Sequence, residues 1–92
     1  YAAYNSTNGE LWVSDATNGK VAYYTFDGSN WNLQNTITTG ADAHAIAFTA
    51  NGSTAYVTNQ GANTVSVIDV ATHTVTKTIS VGTKPNGIAI KQ

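Results

Sequence analysis

The stretch AYVTNQGANTVSVIDVATHTVTKTISV, residues 55–81, sets the period for the whole chain. It holds three short runs rich in Val, Thr, Ile and Tyr, separated by Asn, Gly and Asp-containing turns, which is the composition of β-strands. In residues 74–81, Val75, Lys77, Ile79 and Val81 alternate with Thr or Ser. One face of that strand is therefore mostly apolar and the other solvated. Lys77 within the apolar series is the charge expected on an exposed outermost strand. Val65-Ser66-Val67-Ile68 is apolar enough to be buried on both faces, as a middle strand would be.

The remaining residues echo this stretch. Short strands are expected at 2–4, 11–15, 21–26 and 31–38, then again at 45–49, 54–59, 63–70 and 73–81, with a last one at 87–91. Turn residues close each of them: residues 5–9, Thr17-Asn18-Gly19, Asp27-Gly28-Ser29-Asn30 and Gly40. Nothing reads as helix. Tyr4, Leu11, Val13 and Val21 match Phe48, Ala55, Val57 and Val65, 44 positions on. After the third strand the offset falls to 42, so that Ile37 matches Ile79, Gly40 matches Gly82 and Phe48 matches Ile90. One hairpin absorbs the difference, with DGSNWN at 27–32 shortened to ATHT at 71–74. A repeat of about 40–45 residues with four strands is the signature of a β-propeller blade. The fold is accordingly read as all-β: two four-stranded antiparallel propeller blades, residues 1–42 and 43–82, plus an extra inner strand of a next blade in residues 83–92. Ile88-Ala89-Ile90 is short, apolar and small in the middle, suited to a crowded inner strand.

The second repeat resembles a known family. Tyr56-Val57-Thr58-Asn59, residues 63–69 (NTVSVID) and residues 81–90 (VGTKPNGIAI) are similar to the YVTN-type propeller repeat, which includes surface-layer and secreted proteins. The first repeat is a diverged copy: Leu11-Trp12-Val13-Ser14-Asp15 stands where the tetrapeptide belongs, and Asp42-Ala43-His44 replaces Lys84-Pro85-Asn86. The resemblance implies an extracellular or cell-surface propeller with a structural or interaction role.

Composition excludes several functions. The 92 residues suffice for one small domain, and no cysteine is present to form a disulfide or a thiolate metal site. Four lysines, no arginine and five acids leave no basic stripe for nucleic acid. No apolar run approaches the roughly 18 residues of a membrane span. Charged residues are only 10% of the chain, and Thr, Asn, Ser and Gly supply the polarity, as in many secreted β-proteins. Beginning at Tyr1, the sequence is expected to be a processed form or a piece of a longer protein.

Two blades do not close a ring, which typically takes four to eight. The chain is therefore expected to be completed by other copies of itself, as a closed homo-oligomer or a filament joined through Ile88, Ala89 and Ile90, or by the remaining blades of a longer propeller.

No catalytic motif or cofactor site emerges. His44 and His73 occupy different repeat positions, and no carboxylate stands at ligand spacing around His73. Asp42 and His44 precede an inner strand and are candidates for a site facing a propeller axis. Asp27 and Asp69 sit where turns need side-chain hydrogen bonds, and no acid pair has general acid–base spacing. The aromatic residues Trp12, Tyr23, Tyr24, Phe26 and Trp31 crowd the first blade. Residues 19–31 look like blades of small two-blade sugar-binding lectins, which form trimeric six-bladed propellers. That resemblance implies glycan contacts through Trp12, Tyr24 and Trp31, although the Arg of the lectin pocket is missing. Large aromatics filling the gap between adjacent blades is the other reading of the same cluster. Asn5-Ser6-Thr7 and Asn51-Gly52-Ser53 are both N-glycosylation acceptor patterns.

Overall fold

The computed structural model describes residues 1–82. Eight strands follow in order: β1 (Ala2–Asn5), β2 (Glu10–Asp15), β3 (Lys20–Phe26), β4 (Trp31–Thr38), β5 (Ala43–Phe48), β6 (Thr54–Asn59), β7 (Thr64–Asp69) and β8 (Thr74–Ser80). They form two antiparallel meanders of four strands each, β1-β2-β3-β4 and β5-β6-β7-β8, hereafter blade 1 and blade 2. No helix occurs among the described residues, so none is long and apolar enough to cross a membrane. The extra inner strand expected at 83–92, with Ile88, Ala89 and Ile90, lies outside the described residues.

The repeat is reproduced at the level of hydrogen-bond register. Val21 pairs with Ile37 in blade 1 and Val65 with Ile79 in blade 2. Each third strand is irregular at the same place, Tyr23/Tyr24 in one blade and Val67/Ile68 in the other. Immediately before the third strand of each blade, Gly19 takes a left-handed φ of 64° and its counterpart Asn63 one of 53°, a conformation Gly and Asn adopt most readily. Each sends its carbonyl to the amide 18 to 20 residues on, Thr39 at 3.0 Å and Val81 at 3.0 Å.

Most strand ends differ from the sequence reading by a residue. The expected common face of Val75 with Lys77 and Ile79 is broken, because the register shift at Val67/Ile68 pairs Val75 with Ile68 and Lys77 with Val67. Strand β5 starts at Ala43, two residues early, because Thr58 Oγ1 accepts the Ala45 amide at 2.9 Å where the ladder is irregular. His73 is not a strand residue: it sits in the β7–β8 hairpin with φ 54°.

The core lies between the two sheets. Trp12, Val21 and Ile37 of blade 1 interlock with Ala43, Ile46, Ala55, Val57, Ile68 and Val70 of blade 2. Ala3, Tyr23, Phe48 and Val75 flank them. Polar bonds cross the same seam: Asn5 Nδ2 donates to the Gly52 carbonyl at 2.9 Å, and Ser66 Oγ to the Thr39 carbonyl at 3.3 Å. Middle strand β7 buries Val65, Ser66 and Ile68, and edge strand β8 is exposed apart from half-buried Val75.

The long blade 1 hairpin is held by one carboxylate. Asp27 Oδ1 accepts the amides of Asn30 (2.8 Å) and Ser29 (2.9 Å), and Oδ2 accepts Asn32 Nδ2 at 2.8 Å. These donors favour the ionised form and lower its pKa from the ordinary value to about 2. Because the folded pKa is the depressed one, the stabilisation is complete above the unfolded value of about 4 and disappears as pH falls through about 2. An NMR titration is expected to show the Ser29 and Asn30 amide shifts moving with a midpoint near 2. A midpoint at the ordinary aspartate value would mean that the turn is not held this way.

Candidate functional site

In a meander, directly paired residues share a face and the next row takes the opposite one. The row Ala3–Trp12–Tyr23–Asn35 therefore defines one face of blade 1, here the back. The row Tyr4–Leu11–Tyr24–Leu33 defines the front. In blade 2 the corresponding rows are Ala47–Tyr56–Val67–Lys77 (back) and Phe48–Ala55–Ile68–Val75 (front). The back of blade 1 meets the front of blade 2, as the Phe48 ring set edge-on to Trp12 at 5.1 Å shows.

The most elaborate side-chain cluster sits on this seam. Glu10 opens β2 and is nearly buried, so its carboxylate must be matched by donors. Trp12 Nε1 donates to Oε1 at 3.0 Å. His73 Nε2 lies 2.8 Å from Oε2 and 3.0 Å from Oε1. The imidazole also stacks on Tyr23, with centroids 4.0 Å apart and planes 2° from parallel. The left-handed backbone at His73 turns the short hairpin so that its ring reaches blade 1, 63 residues away in sequence. A carboxylate and an imidazole in contact are the pieces of an acid–base pair, but both Glu10 oxygens are engaged and the ring lies flat on Tyr23. The arrangement fastens one blade to the next.

No carboxylate stands at ligand spacing around His73 in the sequence, and the one that meets it, Glu10, is brought in by blade packing from 63 residues away. Both residues break the repeat, since Glu10 corresponds to Thr54 and His73 to Trp31. Two unmatched, chemically complementary positions in adjacent copies are the signal that would have found the pair.

The candidate sugar-binding residues do not converge. Trp12 is fully buried on the back of blade 1, with its indole N–H spent on Glu10, and has no face to offer a ligand. Tyr24 is half-buried on the front. Trp31, also on the front, is exposed against Phe26 (5.2 Å) and Tyr4 (6.2 Å, edge-on). Asp42 and His44 lie elsewhere, at the start of β5. Asp42 has φ 57° and its carbonyl accepts the Gln60 amide at 3.1 Å. It borders a cleft of about 390 Å³ shared with residues 16–19, Thr38 and residues 40–41. His44 is exposed beside the Tyr1 ring at 6.0 Å. Among the described residues no group of three His, Asp or Glu side chains comes together as metal ligands.

The two acceptor asparagines also part company. Asn5 is buried, with Nδ2 committed to Gly52 and Oδ1 accepting the Thr7 amide at 3.0 Å, so its amide nitrogen is closed to a glycan. Asn51 is exposed, with Oδ1 accepting the Ser53 amide and hydroxyl at 3.0 and 2.8 Å.

Comparison with known proteins agrees with the architecture. The chain superposes with a TM-score of 0.84 on part of the Kuenenia stuttgartiensis hydrazine synthase structure, at 23% identity, covering 94% of this chain and 24% of that one. At that identity the likeness shows the fold alone. The chain is a propeller-like pair of blades. It is also 53% identical over 49 residues to the PE-PGRS family protein PE_PGRS18 of Mycobacterium tuberculosis, a stretch that is 53% of this chain. That match spans 10% of the relative's length. No family model matches the chain.

Proposed function

We propose that the chain is a structural and interaction scaffold of the YVTN type, acting at the cell exterior and built by stacking propeller blades, without catalysis of its own. The observation that carries this reading is the seam between the blades. It concentrates, among the described residues, the largest buried side chains and the Glu10–His73 carboxylate–imidazole contact. The chemistry of the fold is thus spent on joining blade to blade. Partners on this reading are further copies of the chain, in a ring or filament, or further blades of a longer propeller. Low charge and Thr/Asn-rich strands support an exterior setting.

A second reading, a glycan-binding module, is favoured by the exposed aromatic group Tyr4, Phe26 and Trp31, rings of the kind that stack on sugar C–H faces. Light scattering across a dilution series, with a glycan array in parallel, tests both. A scaffold is expected to give a discrete multiple of 9.6 kDa or open-ended growth, with no saturable sugar binding. A folded monomer that binds a glycan would replace the scaffold by the lectin-like module.

A further inference from the structure

The two outer surfaces of the molecule are the two halves of the interface already present inside it. On the front of blade 1, Tyr4 (55%), Phe26 (52%), Trp31 (44%) and Leu33 (56%) are all exposed. By the repeat register these correspond to Phe48, Val70, His73 and Val75 of blade 2. Those four are among the residues with which blade 2 grips blade 1: Val70 is buried in the core, Phe48 and Val75 pack against it, and His73 stacks on Tyr23. The converse holds on the other side. Ile37 on the back of blade 1 is 5% exposed, and its counterpart Ile79 on blade 2 is 37% exposed. Fully buried Trp12 corresponds to Tyr56, which is only partly covered, while Tyr23 and its counterpart Val67 are both half-buried. Tyr4, Phe26, Trp31 and Leu33 on the front, and Ile79 on the back, each have a more covered twin one blade away.

We infer that the front of blade 1 docks on the back of blade 2 of a second copy of this chain, repeating the internal seam. This deepens the scaffold reading and rests on it. The occupant is a second copy because one chain carries both halves, so any two copies offer a complementary pair. Tyr4 then takes the place of Phe48 and lies against Tyr56 of the neighbour, as Phe48 lies against Trp12. Trp31 takes the place of His73 and lies over Val67 and Thr54, where His73 meets Tyr23 and Glu10. The substitutions are matched in kind. Glu10 with His73 is a carboxylate–imidazole contact, and Thr54 with Trp31 carries no carboxylate, so none is left buried without a partner in the new joint. The joint is heterologous, front to back, and so builds rings or open filaments and not an isolated symmetric dimer.

Two full-length double variants test it: Trp31→Asp with Leu33→Asp on the front, and Tyr56→Asp with Val67→Asp on the back. Each is expected to weaken self-association at least about tenfold, since truncating buried aromatic anchors has effects of this size. Mixed together, they are expected to form a one-to-one dimer that grows no further, because each retains the half the other lost. A chain with no cysteine also allows a crosslinking readout, with oxidised glutathione as the two-electron oxidant and circular dichroism to confirm that each variant is folded. Tyr4→Cys mixed with Tyr56→Cys is expected to give the mixed disulfide, with neither variant linking to itself. Self-linking of Tyr4→Cys would overturn the proposal in favour of a symmetric contact. Association untouched by either double variant, yet abolished by Ile88→Asp, would overturn it while leaving the scaffold reading intact. A folded monomeric wild-type chain would overturn both.

Discussion

Trp12→Ala is expected to remove most of the stability of the folded chain. Trp12 is fully buried and lies at the centre of the seam, touching Phe48 edge-on and flanked by Tyr23 and His73. Truncating a buried tryptophan costs about 3–5 kcal/mol from lost transfer energy and the cavity left behind. Removing the indole N–H also takes one of two side-chain donors from the buried Glu10 carboxylate. A domain of this size is stable by only about 5–14 kcal/mol, so the loss is a large fraction of the whole. Trp12→Phe separates the two contributions, because it keeps most of the apolar volume and deletes the hydrogen bond, at a cost nearer 1–2 kcal/mol. Urea unfolding followed by far-ultraviolet circular dichroism measures both. Equal, small effects for the two variants would show that the blades do not depend on this seam.

Gly52→Ala is expected to be the second most damaging single change, although it adds one methyl group. Gly52 lies in the β5–β6 turn with φ 70°, and a Cβ there would fall 2.6 Å from Asn5 Oδ1 and equally close to Thr7 Cβ and Oγ1. Left-handed backbone costs an L-residue about 1–2 kcal/mol, and overpacking a closed contact about 1–3 kcal/mol more. The clash falls on the loop of the other blade, so the variant would prise the blades apart at the Asn5–Gly52 bond. Gly28→Ala is the control. Its φ of 101° is also unfavourable, but nothing lies within 4 Å of the added carbon. Comparing the two denaturation midpoints isolates the interblade contact. Equal losses would assign the whole effect to backbone strain.

The sequon pair shows how far local sequence carries. Asn5-Ser6-Thr7 and Asn51-Gly52-Ser53 read alike and lie in corresponding loops. Asn5 is buried because blade 2 presents the Gly52 carbonyl to it, whereas Asn51 is exposed. Trp12 and Trp31 repeat the lesson. Both are tryptophans on strands of one blade, yet one is the core and the other is surface. An alternating pattern places them on opposite faces without saying which face a second blade covers.

The strands, their turns and the repeat followed from the sequence by itself, because period-2 alternation and turn chemistry act over a few residues and recur at 44 and 42 positions. The Glu10–His73 contact, the burial of Trp12 and Asn5, and the exposure of Tyr4 and Trp31 were decided only by the tertiary structure. Ile37 and Ile79 are equivalent residues of the two copies with the same local preference, yet one is 5% and the other 37% exposed. What separates them is whether a neighbouring blade stands in front of them, and removal from water depends on that neighbour, not on the strand.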